Sequence, residues 1–125
     1  MERTEIMTEW ADALESGEYE QGRSYLRTGD NAFCCLGVLC EIAVKHGVIR
    51  PGARAWGTTY HYGRGGYGSV LPEEVRAWAG VSSEGTLVDD FTELTGLNDS
   101  GTSFTEIAAI IRQGRVQQYT PEDDE

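Results

Sequence analysis

Apolar residues recur with helical spacing near the N-terminus and in the middle of the chain. Ile6, Trp10 and Leu14 follow one another at intervals of four residues. This spacing predicts a helix over about residues 4–16. The segment FCCLGVLCEIAVKHG is the most apolar part of the chain and predicts a central core helix. A glycine inside that helix, Gly37, predicts that another stretch of backbone approaches closely there.

Two further helices are marked by the residues at their ends. The segment LPEEVRAWAG places Pro72 in the first turn of a short helix and Gly80 directly after its last turn. The segment SFTE places Ser103 three residues before Glu106, which predicts a capping box at the start of the last helix. Between these helices, TLVDDFTELTGLND fits a strand and helical turns equally well.

Short strands are predicted where apolar residues flank turn-rich clusters. Two strands surround a loop at residues 28–31, and others lie near residues 60–62 and 67–70. After the last helix, the sequence VQQYTPEDDE predicts a frayed end. We therefore expect an α+β fold: a single small domain over residues 1–116, with about four helices around the central apolar helix and a few short strands or hairpins. Residues 117–125 are expected to form an acidic, flexible tail.

The formal net charge of −11 is concentrated at the two ends of the 125-residue chain. Residues 1–20 hold seven acids and one base, and the last four residues are EDDE. Taking these from the 21 acids and 10 bases of the whole chain leaves ten acids and nine bases in residues 21–121. Since a charge of −11 opposes attraction to a polyanion, we expect no extended nucleic acid as a partner.

Composition excludes several classes of protein. There is no apolar run of about 18 residues, so no membrane partner is expected, and the polar, acidic start differs from a signal peptide. Three cysteines, two of them adjacent, argue against a disulfide framework and favour a cytoplasmic location. Because Cys34, Cys35 and Cys40 are poorly spaced for zinc, we expect them to pack in the core, with no metal and no cofactor.

Five segments occur in a fixed order over about residues 9–112: EWADALESGEYEQG, FCCLGVLCEIAVKHG, a Tyr/Gly-rich stretch, LPEEVRAWAG and LTGLNDSGTSFTEIAAII. In this combination the chain resembles a family of small proteins of tailed bacteriophages. The resemblance implies a phage accessory protein that acts in the cytoplasm of the host cell, and it transfers no catalytic residues. Small accessory phage proteins often inhibit host systems by binding, so we expect a non-enzymatic protein that counters antiphage defence.

The segment RPGARAWGTTYHYGRGGYGSV is the strongest candidate for a ligand site, because no acid occurs between Glu41 and Glu73. Arginine grips phosphate, aromatic rings stack on bases, and glycine lets a ligand approach the backbone. We therefore predict that the protein binds and sequesters a small phosphate-bearing, nucleotide-like host immune signal. The predicted ligand-binding residues are Arg54, Trp56, Tyr60, His61, Tyr62, Arg64, Tyr67, Arg23 and Arg27.

Within this predicted set, the arginines and the aromatic residues have different roles. The arginines of the central segment, above all Arg54 and Arg64, are expected to hold phosphate, with the two earlier arginines as helpers. Trp56, Tyr60 and Tyr62 are expected to stack on the base. A 13.7 kDa chain makes only a small pocket alone, so a homo-oligomer could complete the site.

Other functions stay open at this point. The acidic N-terminal helix could imitate DNA phosphates or inhibit a host enzyme through a basic surface, and Glu5, Glu9 and Asp12 would then carry the activity. A small hydrolase would use His61 or the Asp89–Asp90 pair. The simplest alternative for the central segment is a solvated loop whose tyrosines cover the core.

Overall fold

The computed structural model describes residues 1–55, 59–89 and 92–121. The helices and strands in these ranges are α1 (Arg3–Glu15), β1 (Glu20–Gln21), β2 (Ala32–Phe33), α2 (Cys35–Lys45), β3 (Ala53–Ala55), β4 (Thr59–His61), α3 (Glu73–Ala79), α4 (Leu94–Asp99) and α5 (Phe104–Arg112). The fold is therefore α+β, as predicted, with short strands and five helices in these ranges. Helix α4 lies in the stretch whose pattern was ambiguous.

Helices α1 and α2 confirm the two predictions made from apolar spacing. Helix α1 buries Ile6, Trp10 and Leu14. The indole Nε1 of Trp10 donates a hydrogen bond of 2.8 Å to the carbonyl oxygen of Cys35, which ties α1 to the first turn of α2. Helix α2 is buried along most of its length, and all three cysteines are buried with it. The predicted packing of the cysteines in the core is thus confirmed.

The backbone that approaches α2 at Gly37 belongs to Leu26. A Cβ atom added to Gly37 would overlap the carbonyl oxygen of Leu26. That carbonyl also accepts a hydrogen bond of 3.3 Å from the backbone N–H of Cys34, and the N–H of Leu26 donates to the carbonyl of Gly68 at 2.8 Å. The segment around Leu26 is therefore fixed between the core helix and the end of the central segment.

The strands form two pairs that are linked by single bridges. Strands β1 and β2 are parallel, and β3 and β4 are antiparallel. Bridges Arg27↔Phe33 and Thr28↔Thr59 place residues 27–28 between β2 and β4. The predicted turn at residues 28–31 is present. Strand β3 was not predicted, and the strand predicted near residues 67–70 is reduced to one bridge with Tyr62.

The ends of the remaining helices follow their sequence signals. The hydroxyl of Ser103 accepts a hydrogen bond from the N–H of Glu106, which confirms the capping box of α5. Helix α3 begins after Pro72 and ends at Gly80, whose φ of 68° is in the left-handed region. In the ranges that the structure describes, no helix is both long and apolar enough to cross a membrane.

The chain after α5 lies against the domain, where the sequence predicted a frayed end. Val116 is buried and forms a bridge with Leu87. Arg3 donates hydrogen bonds of 3.1 Å to the carbonyls of Gly80 and Val116, and the N–H of Tyr119 donates to Gly80 at 3.0 Å. The final EDDE lies outside the described residues.

Candidate functional site

The predicted ligand-binding residues are divided between two clefts beside the β3–β4 hairpin. Ala53 and His61 are cross-strand partners, and Arg54 and Tyr60 are the next pair. Side chains alternate between the two faces of a strand, so these pairs face opposite sides. The Arg54 cleft has a volume of about 660 Å³ and is lined by residues that include Arg23, Tyr25, Thr28, Asp30, Arg54 and Thr59. The Arg64 cleft has a volume of about 630 Å³ and is lined by residues that include Val48, Arg50, Pro51, His61, Arg64 and Glu74.

Arg54 projects from β3 with its guanidinium group in a fixed position. Its Nη2 donates a hydrogen bond of 2.8 Å to the carbonyl oxygen of Gly29. Its guanidinium carbon lies 5.4 Å from the centre of the Tyr60 ring. Because a guanidinium group carries several further N–H donors, most of its capacity remains for a ligand.

Arg27 and Tyr60 support the Arg54 cleft from behind. The guanidinium carbon of Arg27 lies 3.8 Å from the centre of the Tyr60 ring and 5.3 Å from that of Phe33. Its Nε and Nη2 donate hydrogen bonds of 3.1 and 2.8 Å to Oδ1 of Asn31. Arg27 is not among the residues that line either cleft. We therefore give Arg27 a positioning role, and Tyr60 serves as the ring on which Arg27 and Arg54 lie.

Tyr62 is buried and takes part in the core, although the sequence placed it among the stacking residues. Only 1% of its surface is exposed. Its hydroxyl donates a hydrogen bond of 2.6 Å to Oε2 of Glu41. Burial and this hydrogen bond together raise the pKa of Tyr62 well above its ordinary value. No ligand can stack on a ring in this position, so we leave Tyr62 out of the site.

One other predicted residue, Tyr67, stays apart from the clefts, and another lies outside the described residues. Tyr67 is half-buried and exchanges two backbone hydrogen bonds of 2.8 Å with Tyr62. It is not among the residues that line either cleft. Trp56 lies outside the described residues, between the ends of β3 and β4, and its role stays a prediction.

Tyr25 is a site residue that the sequence analysis missed. Its side chain is 47% exposed and lines the Arg54 cleft. The preceding residue, Ser24, has a φ of 72°, and its N–H donates to Oδ1 of Asp99 at 2.9 Å, which fixes the bend before Tyr25. The available signal was the alternation of side chains in RSYLR: if the apolar Leu26 faces the core, its neighbour Tyr25 faces outward. The structure shows this arrangement.

The Arg64 cleft is built around the turn that follows β4. The backbone N–H of Arg64 donates a hydrogen bond of 2.7 Å to Oε2 of Glu74, which fixes the turn on α3. Gly63 has a φ of 75°, and a Cβ atom there would overlap the side chain of Pro72. From the sequence, the glycines of this segment were expected to let a ligand approach. At Gly63 the structure gives a different reason, since the glycine is needed for the turn and for packing.

The acidic face of α1 is largely bound within the protein itself. Nη2 of Arg112 lies 2.7 Å from Oδ1 of Asp12 and 2.6 Å from Oε1 of Glu15. These carboxylates raise the pKa of Arg112 above its ordinary value. His46 Nε2 lies 2.8 Å from Oε1 of Glu9. Two of the three residues named for an acidic inhibitor, Glu9 and Asp12, are therefore already paired.

The residues considered for a hydrolase are not assembled for catalysis in the described part of the chain. Oδ2 of Asp89 accepts a hydrogen bond of 2.6 Å from Nε of Arg115, and Asp90 lies outside the described residues. Nε2 of His61 lies 3.3 Å from the hydroxyl of Thr59. Burial raises the pKa of Cys34 to about 11, so this thiol is neutral near pH 7.

A third, smaller cleft is acidic. It has a volume of about 320 Å³, and Glu84, Glu93 and Asp99 contribute to its lining. Desolvation and a hydrogen bond with Glu84 raise the pKa of Glu93. Within residues 1–55, 59–89 and 92–121, no group of three or more His, Cys, Asp or Glu side chains is arranged to hold a metal ion. The carboxylates of this cleft repel phosphate, in contrast to the other two clefts.

Comparison with known proteins places the chain in a family. A family model described as "Domain of unknown function (DUF8296)" matches residues 1–115. No curated protein and no solved structure matches the chain. Since the family model covers nearly all of the 125 residues, this protein belongs to the DUF8296 family.

Proposed function

We propose that this protein binds and sequesters a small phosphate-bearing, nucleotide-like molecule in the Arg54 cleft. The observation that carries this proposal is the grouping of Arg23 and Arg54 beside the exposed ring of Tyr25. Within the described residues, the guanidinium group of Arg23 has no hydrogen-bond or ion-pair partner, and that of Arg54 bonds only one carbonyl. The two arginines would hold phosphate, and Tyr25 would stack on the base.

The size and the charge of the cleft both suit such a ligand. Its volume of about 660 Å³ is within the range of about 300–1,000 Å³ that is usual for small-molecule sites. Asp30 is the one carboxylate among the described lining residues. It would accept hydrogen bonds from a sugar hydroxyl or from a base, and it would disfavour a bare inorganic anion. A nucleotide-like molecule therefore matches the lining better than phosphate alone.

The lining supports binding rather than turnover. Its described members include no His and no Cys, and Asp30 has no second acid or base beside it. The resemblance to small tailed-phage proteins suggests what the ligand is for. We propose that it is an immune signal of the host, held in the host cytoplasm so that the signal cannot act.

The test uses purified full-length protein, stripped of small molecules, and an ultrafiltrate from bacteria with active nucleotide-signalling defence. Native mass spectrometry should show a nucleotide-sized mass added to the wild-type protein. The adduct should be lost in a variant that combines Arg23→Gln with Arg54→Gln. Lys45→Gln is the matched control, because Lys45 is an exposed cation at the end of α2 and lines neither cleft.

Three outcomes decide the proposal. An adduct that survives in the double variant would place the ligand elsewhere. A released molecule of altered mass would favour an enzyme. A wild-type protein that emerges empty, or with a host protein attached, would overturn sequestration and favour the acidic-surface inhibitor.

A further inference from the structure

We propose that the Arg64 cleft is a second, separate site that binds a compact phosphate group, either as free phosphate or pyrophosphate or at the end of a phosphate monoester. This inference concerns a cleft that Arg54 does not line, and it does not depend on what binds in the Arg54 cleft. The sequence grouped Arg54 and Arg64 in one site. The cross-strand register separates them, because Ala53 and His61 face the Arg64 cleft and Arg54 faces away from it.

The two arginines and the histidine of the Arg64 cleft come from three parts of the chain. Arg50 lies in the loop after α2, His61 ends β4, and Arg64 lies in the following turn. Within the ranges that the structure describes, the guanidinium groups of Arg50 and Arg64 have no hydrogen-bond or ion-pair partner. With two arginines from separate segments against one carboxylate, the cleft has a local positive field, although the chain as a whole is acidic.

The acid in the cleft is already engaged. Oε2 of Glu74 accepts the hydrogen bond from the backbone N–H of Arg64. Glu74 therefore fixes the turn that carries Arg64, and the guanidinium group of Arg64 remains for a ligand. Thr59 also lines the Arg54 cleft, and its hydroxyl contacts Nε2 of His61, which orients the imidazole ring. Glu74 and Thr59 thus position Arg64 and His61 without themselves binding phosphate.

The rest of the lining limits the ligand to a compact anion. The floor is formed by small or aliphatic side chains, which include Val48, Ile49, Pro51 and Ala53. No Phe, Tyr or Trp is among the residues described for this lining, in contrast to Tyr25 in the Arg54 cleft. Without a ring for stacking, the cleft offers little recognition of a base. Bidentate contacts from Arg50 and Arg64 suit phosphate oxygens instead.

The experiment is a titration of the ¹⁵N-labelled full-length protein with sodium pyrophosphate in about 0.15 M NaCl, followed by amide chemical shifts. We expect saturable shifts at residues 47–50, 52–53 and 61–64. Replacing both arginines, Arg50→Gln with Arg64→Gln, should weaken this binding at least about tenfold. Lys45→Gln should leave it unchanged.

The amide spectrum also reports on folding, so a variant that unfolds is recognised directly. In that case Arg50→Lys with Arg64→Lys keeps the charges and loses the bidentate geometry, and we expect weaker but detectable binding. Shifts confined to residues 23–30 and to residue 54 would overturn the second site. Shifts that do not saturate and disappear in salt would also overturn it. Loss of the nucleotide adduct at the Arg54 cleft would leave these amides unaffected, so the two proposals can fail separately.

Discussion

Helix α1 and the central segment carry opposite charges, and they also use their charges differently. In α1, Asp12 and Glu15 are bound by Arg112, and Glu9 is bound by His46. In the central segment, Arg50 and Arg64 have no side-chain partner among the described residues. The acids of α1 hold its neighbours in place, whereas the arginines of the central segment remain available.

This difference shows that net charge alone is a poor guide to the partner. With a charge of −11, the chain suggests an acidic binding surface. Much of that acidity is used in contacts within the fold. Among the described lining residues of the two larger clefts, most of the charges left without partners are positive, with Asp30 as the exception. Function is therefore better inferred from charges without partners than from charges in excess. The following predictions test this contrast.

The largest effect is expected at Gly37, where the backbone of Leu26 packs closely against helix α2. Gly37→Ala would place a Cβ atom on the carbonyl of Leu26 and displace the segment that carries Arg23 and Tyr25. We expect a loss of about 3 kcal/mol or more in the free energy of unfolding, measured by urea denaturation. Gly96→Ala is the control, because an added Cβ there meets no atom within 4 Å. Equal stability of the two variants would contradict the close approach.

A smaller effect on stability is expected from the buried cysteine thiols, which stay neutral in the folded state. Burial raises the pKa of Cys34 from its ordinary 9.0 to about 11, and the pKa values of Cys35 and Cys40 are raised as well. The folded state therefore holds these protons more tightly than the unfolded state. The stability that this provides is fully present below about pH 9 and is lost as the pH rises through about 11.

Urea denaturation at about pH 8 and at about pH 10.5 measures this loss. For Cys34 alone we expect a contribution of about 2 kcal/mol to the difference in unfolding free energy. Cys34→Ala should reduce the change in unfolding free energy between the two pH values, whether or not it alters the stability at the lower pH. A dependence as steep in Cys34→Ala as in the wild type would show that this thiol does not contribute.

The smallest effect on stability is expected from removing a single arginine, either the one that binds α1 or one of the central segment. Arg112→Gln removes the partner of Asp12 and Glu15, so we expect a small fall in the midpoint of urea denaturation. This difference from the wild type should become smaller in about 1 M NaCl, because salt screens ion pairs. Arg50→Gln removes an arginine without a described partner and should leave the midpoint unchanged. The contrast would be wrong if Arg50→Gln destabilised the protein more than Arg112→Gln.

Local signals in the sequence were sufficient for the helices. Apolar spacing located α1 and α2, and the capping box of Ser103 and Glu106 located the start of α5. Each of these signals acts within a few residues of the chain, so one sequence is enough to detect it. Gly37 was also informative, because glycine weakens a helix and its presence in a regular core helix is typical of a close backbone contact.

Contacts between distant segments could not be predicted in this way. Asn98 lies in the stretch whose pattern was ambiguous, yet it is buried and its Oδ1 accepts a hydrogen bond from the N–H of Cys35 at 3.2 Å. Its Nδ2 donates to the carbonyl of Gly22 at 2.8 Å. The role of this residue depends on partners that are 63 and 76 positions away, for which the sequence carries no local signal.

The sequence suggested which types of residue form the candidate site but not how these residues are arranged in space. The sequence identified the arginines of the central segment and grouped them around one ligand. Strand β3 has the sequence Ala-Arg-Ala, which lacks the β-branched or aromatic residues that indicate a strand. Its register with β4 was therefore not visible, and this register places Arg54 and Arg64 in different clefts.

The most direct test of the central claim is the phosphorus content of the protein as purified from cells with nucleotide-signalling defence, measured against its sulfur. The first variant combines Arg50→Gln, Arg54→Gln and Arg64→Gln, and the matched variant combines Lys45→Gln, Arg112→Gln and Arg115→Gln. Both lose three positive charges. We predict that the wild type and the matched variant carry phosphorus in proportion to protein and that the first variant loses most of it. Wild-type protein without phosphorus, or equal loss in both variants, would contradict the account.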